Sequence, residues 1–499
     1  MKTIMTFYYH LPSGIYYLTN MTPEAFNIIS YFVGMVPTVI LFLMIIKKII
    51  SKLNIKNKLL IFGVASLFLV SFWPLHGACL SGQPDIIGMI FIGFIILLTM
   101  DYDFSYIDWK RWFLILVSAF CLVITRRWYM FFALGYFIAY AIVLLAKVLI
   151  SKDKQKIKST ILNGLKFALV VGGGLIILSS PIIIKTLKNN YQSSYTAWNL
   201  GGLSMEFTEQ FKRLGLIYFI VIIIGAIYGI VNKKLRCYAL TLIGTWVIAI
   251  IAFTRIQNMG PHQMLILVPT YIILFVFGII AIINIKCKNY IQISLATILI
   301  VIMLLNLTGG ITHNKYLYNN LFFTNMVVDS EKREDYSIIG EMVEFVKENC
   351  NEQNKIYLNA ATGDYSSHMI TNYNLPEDKE LYNYVPYSFA IDSTNGFPQE
   401  ALECKYFWIS NQILDDTGAK KGHIIPNINY AITEDPIISK KFKMIKEFKM
   451  TDEVTFYTYE RTVDFDEEER QEWLKLFEEQ SEIYPELFRD RILEFQNDT

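Results

Sequence analysis

Three short stretches carry residues whose types and spacing could do chemistry. Ser81-Gly82-Gln83-Pro84-Asp85 breaks the chain with Gly and Pro, then opens the next apolar run with a carboxylate. Asp85 has two readings. It is either an acid at a helix start, favoured there by less than about 1 kcal/mol, or an ionisable group held at membrane depth for a function. Trp73-Pro74-Leu75-His76 just upstream points to a folded mouth. Thr125-Arg126-Arg127-Trp128-Tyr129 sets two guanidinium groups beside aromatic rings. Either they snorkel past an aromatic belt, or one of them is a bidentate fork for phosphate; the sequence does not choose between Arg126 and Arg127. Thr254-Arg255-Ile256-Gln257-Asn258-Met259-Gly260-Pro261-His262-Gln263 packs an Arg, two amides and a His around a tight turn. Turn chemistry explains Asn258 to Pro261. Arg255 and His262 together suit an anion, although a lone His at a helix start is more often a cap.

Two further stretches read as surface. The segment Asn190–Arg213 carries Tyr191, Tyr195, Trp198, Glu206, Glu209, Lys212 and Arg213. That mixture suits lying on a membrane surface over the mouths. Asp101-Tyr102-Asp103 mimics the DxD pair with which many nucleotide-sugar transferases hold a metal, yet no nucleotide fold adjoins it and it reads as a solvated helix end. The six cysteines form no CxxC and no Cys/His pair at ligand spacing, so no protein metal site is expected. Cys350 and Cys404 lie in the polar tail and could be bridged only if that tail is outside the cell.

The elements that must position these residues are apolar and long. Hydrophobic residues make up 54% of 499, and the mean hydropathy is +0.37, an excess that lipid burial explains better than an unusually large core. A net charge of +1 leaves no footprint for nucleic acid. Apolar runs near 26–50, 59–73, 85–100, 112–125, 129–150, 165–184, 215–231, 237–254, 262–284 and 290–308 predict about ten transmembrane helices. Gly172-Gly173-Gly174 falls inside one of them and reads as a close helix contact. Lysines and arginines follow the first, fifth, seventh and ninth runs, which assigns those connections to the cytoplasm. The three mouths, the Lys185–Gly215 connection and both termini are then outside. With no signal peptide and about 25 residues ahead of the first helix, an additional helix upstream of Met1 is expected.

From about Ile311 the composition turns mixed and charged. A helical pattern at Glu341–Cys350, strand-like runs at Lys355–Leu358, Tyr406–Ser410 and Val454–Tyr459, and an acidic helix from Asp464 to Glu479 predict a small α/β layer. The expected fold is therefore a mainly α polytopic membrane protein over residues 1–311, with an extracytoplasmic α/β domain over 312–499.

Taken in order, these features resemble the bacterial GT-C glycosyltransferases that use polyprenyl-phosphate sugars, relatives of the protein O-mannosyltransferases (family 39). Gly82-Gln83-Pro84-Asp85 looks like their second acidic site. Arg126-Arg127-Trp128-Tyr129 and Arg255-Ile256-Gln257 through His262 look like motifs of Gram-positive members, and Ser393-Thr394-Asn395-Gly396-Phe397-Pro398 resembles a turn in their tail domain. The resemblance implies an inverting transfer of a sugar from a polyprenyl-phosphate donor to a glycan, lipid or protein acceptor at the outer face of the bacterial cell membrane. It makes Asp85 catalytic, Arg126, Arg127, Arg255 and His262 ligands of the donor phosphate, and Gln83, Tyr129, Gln257, Tyr195 and Trp198 substrate contacts. A divalent cation stays open as cofactor. The family's principal base, an Asp in the first external loop, has no counterpart here: Tyr8-Tyr9-His10-Leu11-Pro12 resembles the stretch after it, and Glu24 sits too near the next helix. The rival readings are a transporter or flippase of lipid-linked sugars, which predicts repeats and charges at the bilayer midplane, and a non-catalytic membrane scaffold.

Overall fold

A computed structural model describes residues 28–81, 85–188, 201–285, 288–318, 320–324, 333–374, 377–388, 397–415, 424–480, 489 and 492. Gln83, Tyr195 and Trp198 lie outside the described residues, as do 1–27, Tyr191 and 393–396. The chain divides into two compact units, one built from described residues up to 324 and the other from those from 333 onward.

The first unit is helical. It runs α1 Ile28–Lys52, α2 Lys58–Leu80, α3 Asp85–Thr99, α4 Trp109–Thr125, α5 Tyr129–Ser151, α6 Lys154–Leu178, α7 Ser180–Lys188, α8 Gly202–Leu214, α9 Leu216–Val231, α10 Arg236–Thr254, α11 Val268–Ile283 and α12 Asn289–Ile311. Within the described residues, each expected apolar run falls on helix. By length and apolarity six qualify as membrane spans: α1, α2, α5, α6, α10 and α12. A seventh arises if α8 and α9, bent by 106°, count as one. The molecule is thus a helical, multi-pass membrane protein. Local chemistry sets the boundaries. Asp108 caps α4 by accepting from the Arg111 amide at 3.0 Å, and Asp153 caps α6 from the Lys156 amide at 3.0 Å. In α2 the helix is interrupted at Phe72, because Pro74 has no amide hydrogen to donate to the carbonyl of Val70 and its ring crowds that turn; the His76 ring meets the Val70 carbonyl at 2.6 Å.

Burial ranks the helices. Fourteen of the sixteen residues of α11 are buried, so it is the unit's central helix. In α6 only Thr160, Phe167 and Val171 are buried, which leaves an apolar surface for lipid. Of its glycines, Gly174 makes the close helix contact expected of the run, where a Cβ would lie 3.1 Å from Leu116; Gly172 and Gly173 face open space and take no part in it. The helices α1 and α3 lie side by side in the same direction: Thr38 Oγ1 donates to the Ile86 carbonyl at 3.4 Å, and Lys48 Nζ reaches Asp101 at 3.5 Å beyond the far end.

The second unit is a three-layer sandwich around a four-stranded mixed sheet of order β1-β2-β4-β3, with β1 Ile356–Leu358, β2 Tyr406–Ser410, β3 Phe442–Lys449 and β4 Thr455–Arg461. β1 and β2 are parallel and the other pairs antiparallel. Tyr357, Phe407 and Ile409 pack with α14 Gln399–Glu403, α15 Ile424–Thr433 and α16 Glu467–Gln480, while Ile356, Leu358 and Trp408 pack with α13 Tyr336–Asn349. All five residues of β2 are buried because both faces are covered. Cys350 and Cys404 are buried free thiols.

Candidate functional site

Asp85 opens α3 with no exposed surface. A carboxylate there is costly unless partnered, and the turn between α4 and α5 supplies the partners. Trp128 Nε1 donates to Asp85 Oδ1 at 2.9 Å, and Arg126 Nε lies 3.4 Å from Oδ2. Tyr129 donates its hydroxyl to the Asp85 backbone carbonyl at 2.6 Å. That ring fits only because residue 88 is glycine; a Cβ there would come within 2.2 Å of it. Arg126 also sits over the Trp128 ring, 4.8 Å from its centroid. The acid, the arginine and the two aromatics therefore form one locked cluster.

The Arg255–Gln263 turn brings His262 to it. The imidazole lies 5.5 Å from the Trp128 ring, centroid to centroid. Burial, then the charges on Arg126 and Arg213, push its pKa down to about 4, so it is neutral at pH 7.

What holds this turn is α8. Glu206, fully buried, accepts from the Met259 amide at 2.7 Å, from Asn258 Nδ2 at 3.3 Å and from Gln210 Nε2 at 2.7 Å. Arg213 Nη2 donates to the Met259 carbonyl at 2.7 Å, and Tyr271 donates to Gln210 Oε1 at 3.1 Å. Glu206 and Arg213 are thus structural clamps, not the membrane-surface residues expected. Glu209 and Lys212 do face outward and pair with each other at 2.9 Å. The spacing of Glu206, Gln210 and Arg213, at i, i+4 and i+7, is the signal that puts them on one helix face. Gly215 turns the chain from α8 into α9 with φ +75°, and a Cβ there would lie 2.6 Å from the Phe323 carbonyl carbon.

The expected site residues sort accordingly. Asp85, Arg126, Tyr129 and His262 come together, and Trp128, not singled out in advance, joins them. Arg127 is half-buried one residue from the cluster, and Gln257 is buried in the His262 turn. Arg255 is exposed and makes no hydrogen bond or ion pair among the described residues. Asp101 and Asp103, read as a solvated helix end, do follow the end of α3, where Asp101 is exposed, and they are also ion-paired: Asp101 to Lys48 and Lys52, Asp103 to Lys156 at 2.9 Å. Among the described residues no three His, Cys, Asp or Glu side chains group as a metal site. Around the buried carboxylate the Trp128 N–H is already donated to Asp85, so the Arg126 guanidinium and the neutral His262 ring are the groups that can meet an anion, by charge and by hydrogen bonding. No protein-family model matches this sequence, and no curated protein is similar enough to count as a match.

Proposed function

We propose that this protein is a membrane glycosyltransferase of the GT-C kind, which moves a sugar from a polyprenyl-phosphate donor to a cell-envelope acceptor. In this reading the bundle has about ten membrane crossings, the shorter helices α3, α4 and α11 included, and the cluster around Asp85 faces outward. The observation that carries it is the convergence of Arg126 and His262 on the buried Asp85–Trp128 pair, at one end of an apolar bundle.

The chemistry follows from the groups. An acceptor hydroxyl attacks the anomeric carbon while the carbon–oxygen bond to the phosphate breaks, and the leaving polyprenyl phosphate is already a stable anion. It needs positive charge near its oxygens rather than a proton, and a dehydrated site strengthens that interaction. Arg126 supplies the charge. Neutral His262 donates or accepts a hydrogen bond without adding to it. The Asp85 carboxylate, enclosed as it is, fits holding Arg126 and Trp128 in place better than taking a proton from the acceptor. The resemblance implies an acid of the first external loop as the base that takes the acceptor's proton.

Binding tests this directly. Arg126→Lys keeps a charge opposite Asp85 but loses the planar fork, and a lost charge-assisted hydrogen bond is worth about tenfold in affinity or more. Native mass spectrometry of the full chain in detergent is expected to show polyprenyl phosphate bound, the corresponding polyprenol bound much more weakly, and the variant reduced about tenfold. Equal retention of phosphate and alcohol overturns the reading.

A further inference from the structure

We propose that a cavity at the opposite end of the helical unit is a binding site for an anionic phospholipid. The cavity encloses about 490 Å³ between α1, α3, α5, α10 and the connection from α9, a volume suited to a headgroup with the first part of its chains. Lys52, Lys147, Lys233 and Lys234 line it, against the carboxylates of Asp101 and Asp103.

Those carboxylates are already satisfied. Lys48 and Lys52 pair with Asp101, Tyr238 donates to it, and Lys156 holds Asp103. Lys234 is spent on the Lys52 carbonyl at 2.8 Å. Lys147 and Lys233 are exposed and have no partner among the described residues, so two ammonium groups at the cavity are available to an anion. Lysine-rich connections alone satisfy the rule that orients membrane helices. That rule asks for no cavity beneath them.

The inner wall identifies the ligand class. One to two helical turns deeper, the lining becomes Ile45, Ile49, Ile96, Leu144 and Leu242, with no charged side chain. Tyr136 and Tyr140 line the cavity too, their rings within 8° of parallel, and both hydroxyls are engaged at Thr99, Tyr136 with its Oγ1 at 2.6 Å and Tyr140 with its carbonyl at 3.1 Å. A soluble phosphate compound gains nothing from the aliphatic wall, whereas a lipid uses both zones. Basic pockets between membrane helices hold anionic headgroups in this way. The site shares no residue with the Asp85 cluster and stands whether or not that cluster transfers sugar.

The test is native mass spectrometry of the full chain in detergent with phosphatidylglycerol, phosphatidylcholine or inorganic pyrophosphate. The expected result is one phosphatidylglycerol held more tightly than phosphatidylcholine, and no pyrophosphate adduct. Each lysine near a headgroup contributes about fivefold in affinity, so Lys147→Gln with Lys233→Gln should weaken phosphatidylglycerol about 25-fold. Lys110→Gln, an exposed lysine outside the cavity, should change nothing. Equal retention of the two lipids, an unaffected double variant, or the same loss at Lys110 overturns the proposal. Pyrophosphate binding that depends on Lys147 and Lys233 assigns the cavity to a soluble ligand and overturns it as well.

Discussion

At the scale of single residues, the Asp85–Arg126 contact is a pair in which each group excuses the other's burial. Removing one partner of such a pair costs about 3–5 kcal/mol, whereas replacing both by apolar groups is close to neutral. Asp85→Ala should therefore lower the thermal midpoint in detergent sharply, and Asp85→Ala with Arg126→Met should recover most of that loss. If the double variant is as unstable as the single one, the two groups are not coupled. His262 gives a second handle. Its folded pKa of about 4 is below the 6.5 of a free imidazole, so between these values the unfolded chain takes up a proton that the folded chain resists. Its contribution is full above pH 6.5 and is lost as pH falls toward 4. The thermal midpoint should drop through that window, and His262→Gln should flatten the drop.

At the scale of elements, α8 decides whether the Asn258–Gly260 backbone keeps its shape. Glu206→Ala removes an acceptor that serves three donors, and should weaken polyprenyl-phosphate binding although Glu206 has no contact with the Asp85 cluster. Gly215→Ala forces an L side chain into a backbone region close to glycine-only, at a cost of about 1–3 kcal/mol, readable as a lower thermal midpoint. These elements show what was legible in the sequence. Apolar runs long enough to be helices declare themselves, and the motifs at Asp85, Arg126 and His262 pointed to residues that the fold does gather. The clamp on α8 was also written there, as a face at i, i+4 and i+7, but polar residues within an amphipathic stretch read by default as surface. Arg255 stood out by its charge, and charge alone does not say which way a side chain leaves a turn. In the second unit, β2 and β4 were readable from apolar runs. β3 was not, because this edge strand leaves Lys443 through Glu447 exposed and carries no alternating apolar face.

At the scale of the whole molecule, the helical unit has two chemically different ends joined by apolar walls. Asp85 and Asp101 stand at opposite ends of α3, whose fifteen residues rise about 22 Å. Cysteine accessibility labelling should find Ser105→Cys, beyond the Asp101 end, and Thr312→Cys, after α12, reactive from opposite sides of the membrane. Reaction of both from one side would break the topology on which the Proposed function rests. The pairing of α1 with α3 has one more consequence. Ile86 is level with Gly34 and Thr38, whereas α1 begins at Ile28; six residues of helix stand about 9 Å higher than the carboxylate. On the proposed glycosyltransferase reading, a carrier lipid would need no lifting into water to present its headgroup, and the hydrophilic acceptor would have to reach down. That reading then expects slender acceptors with a terminal hydroxyl on an extended stem to react in preference to bulky, branched ones.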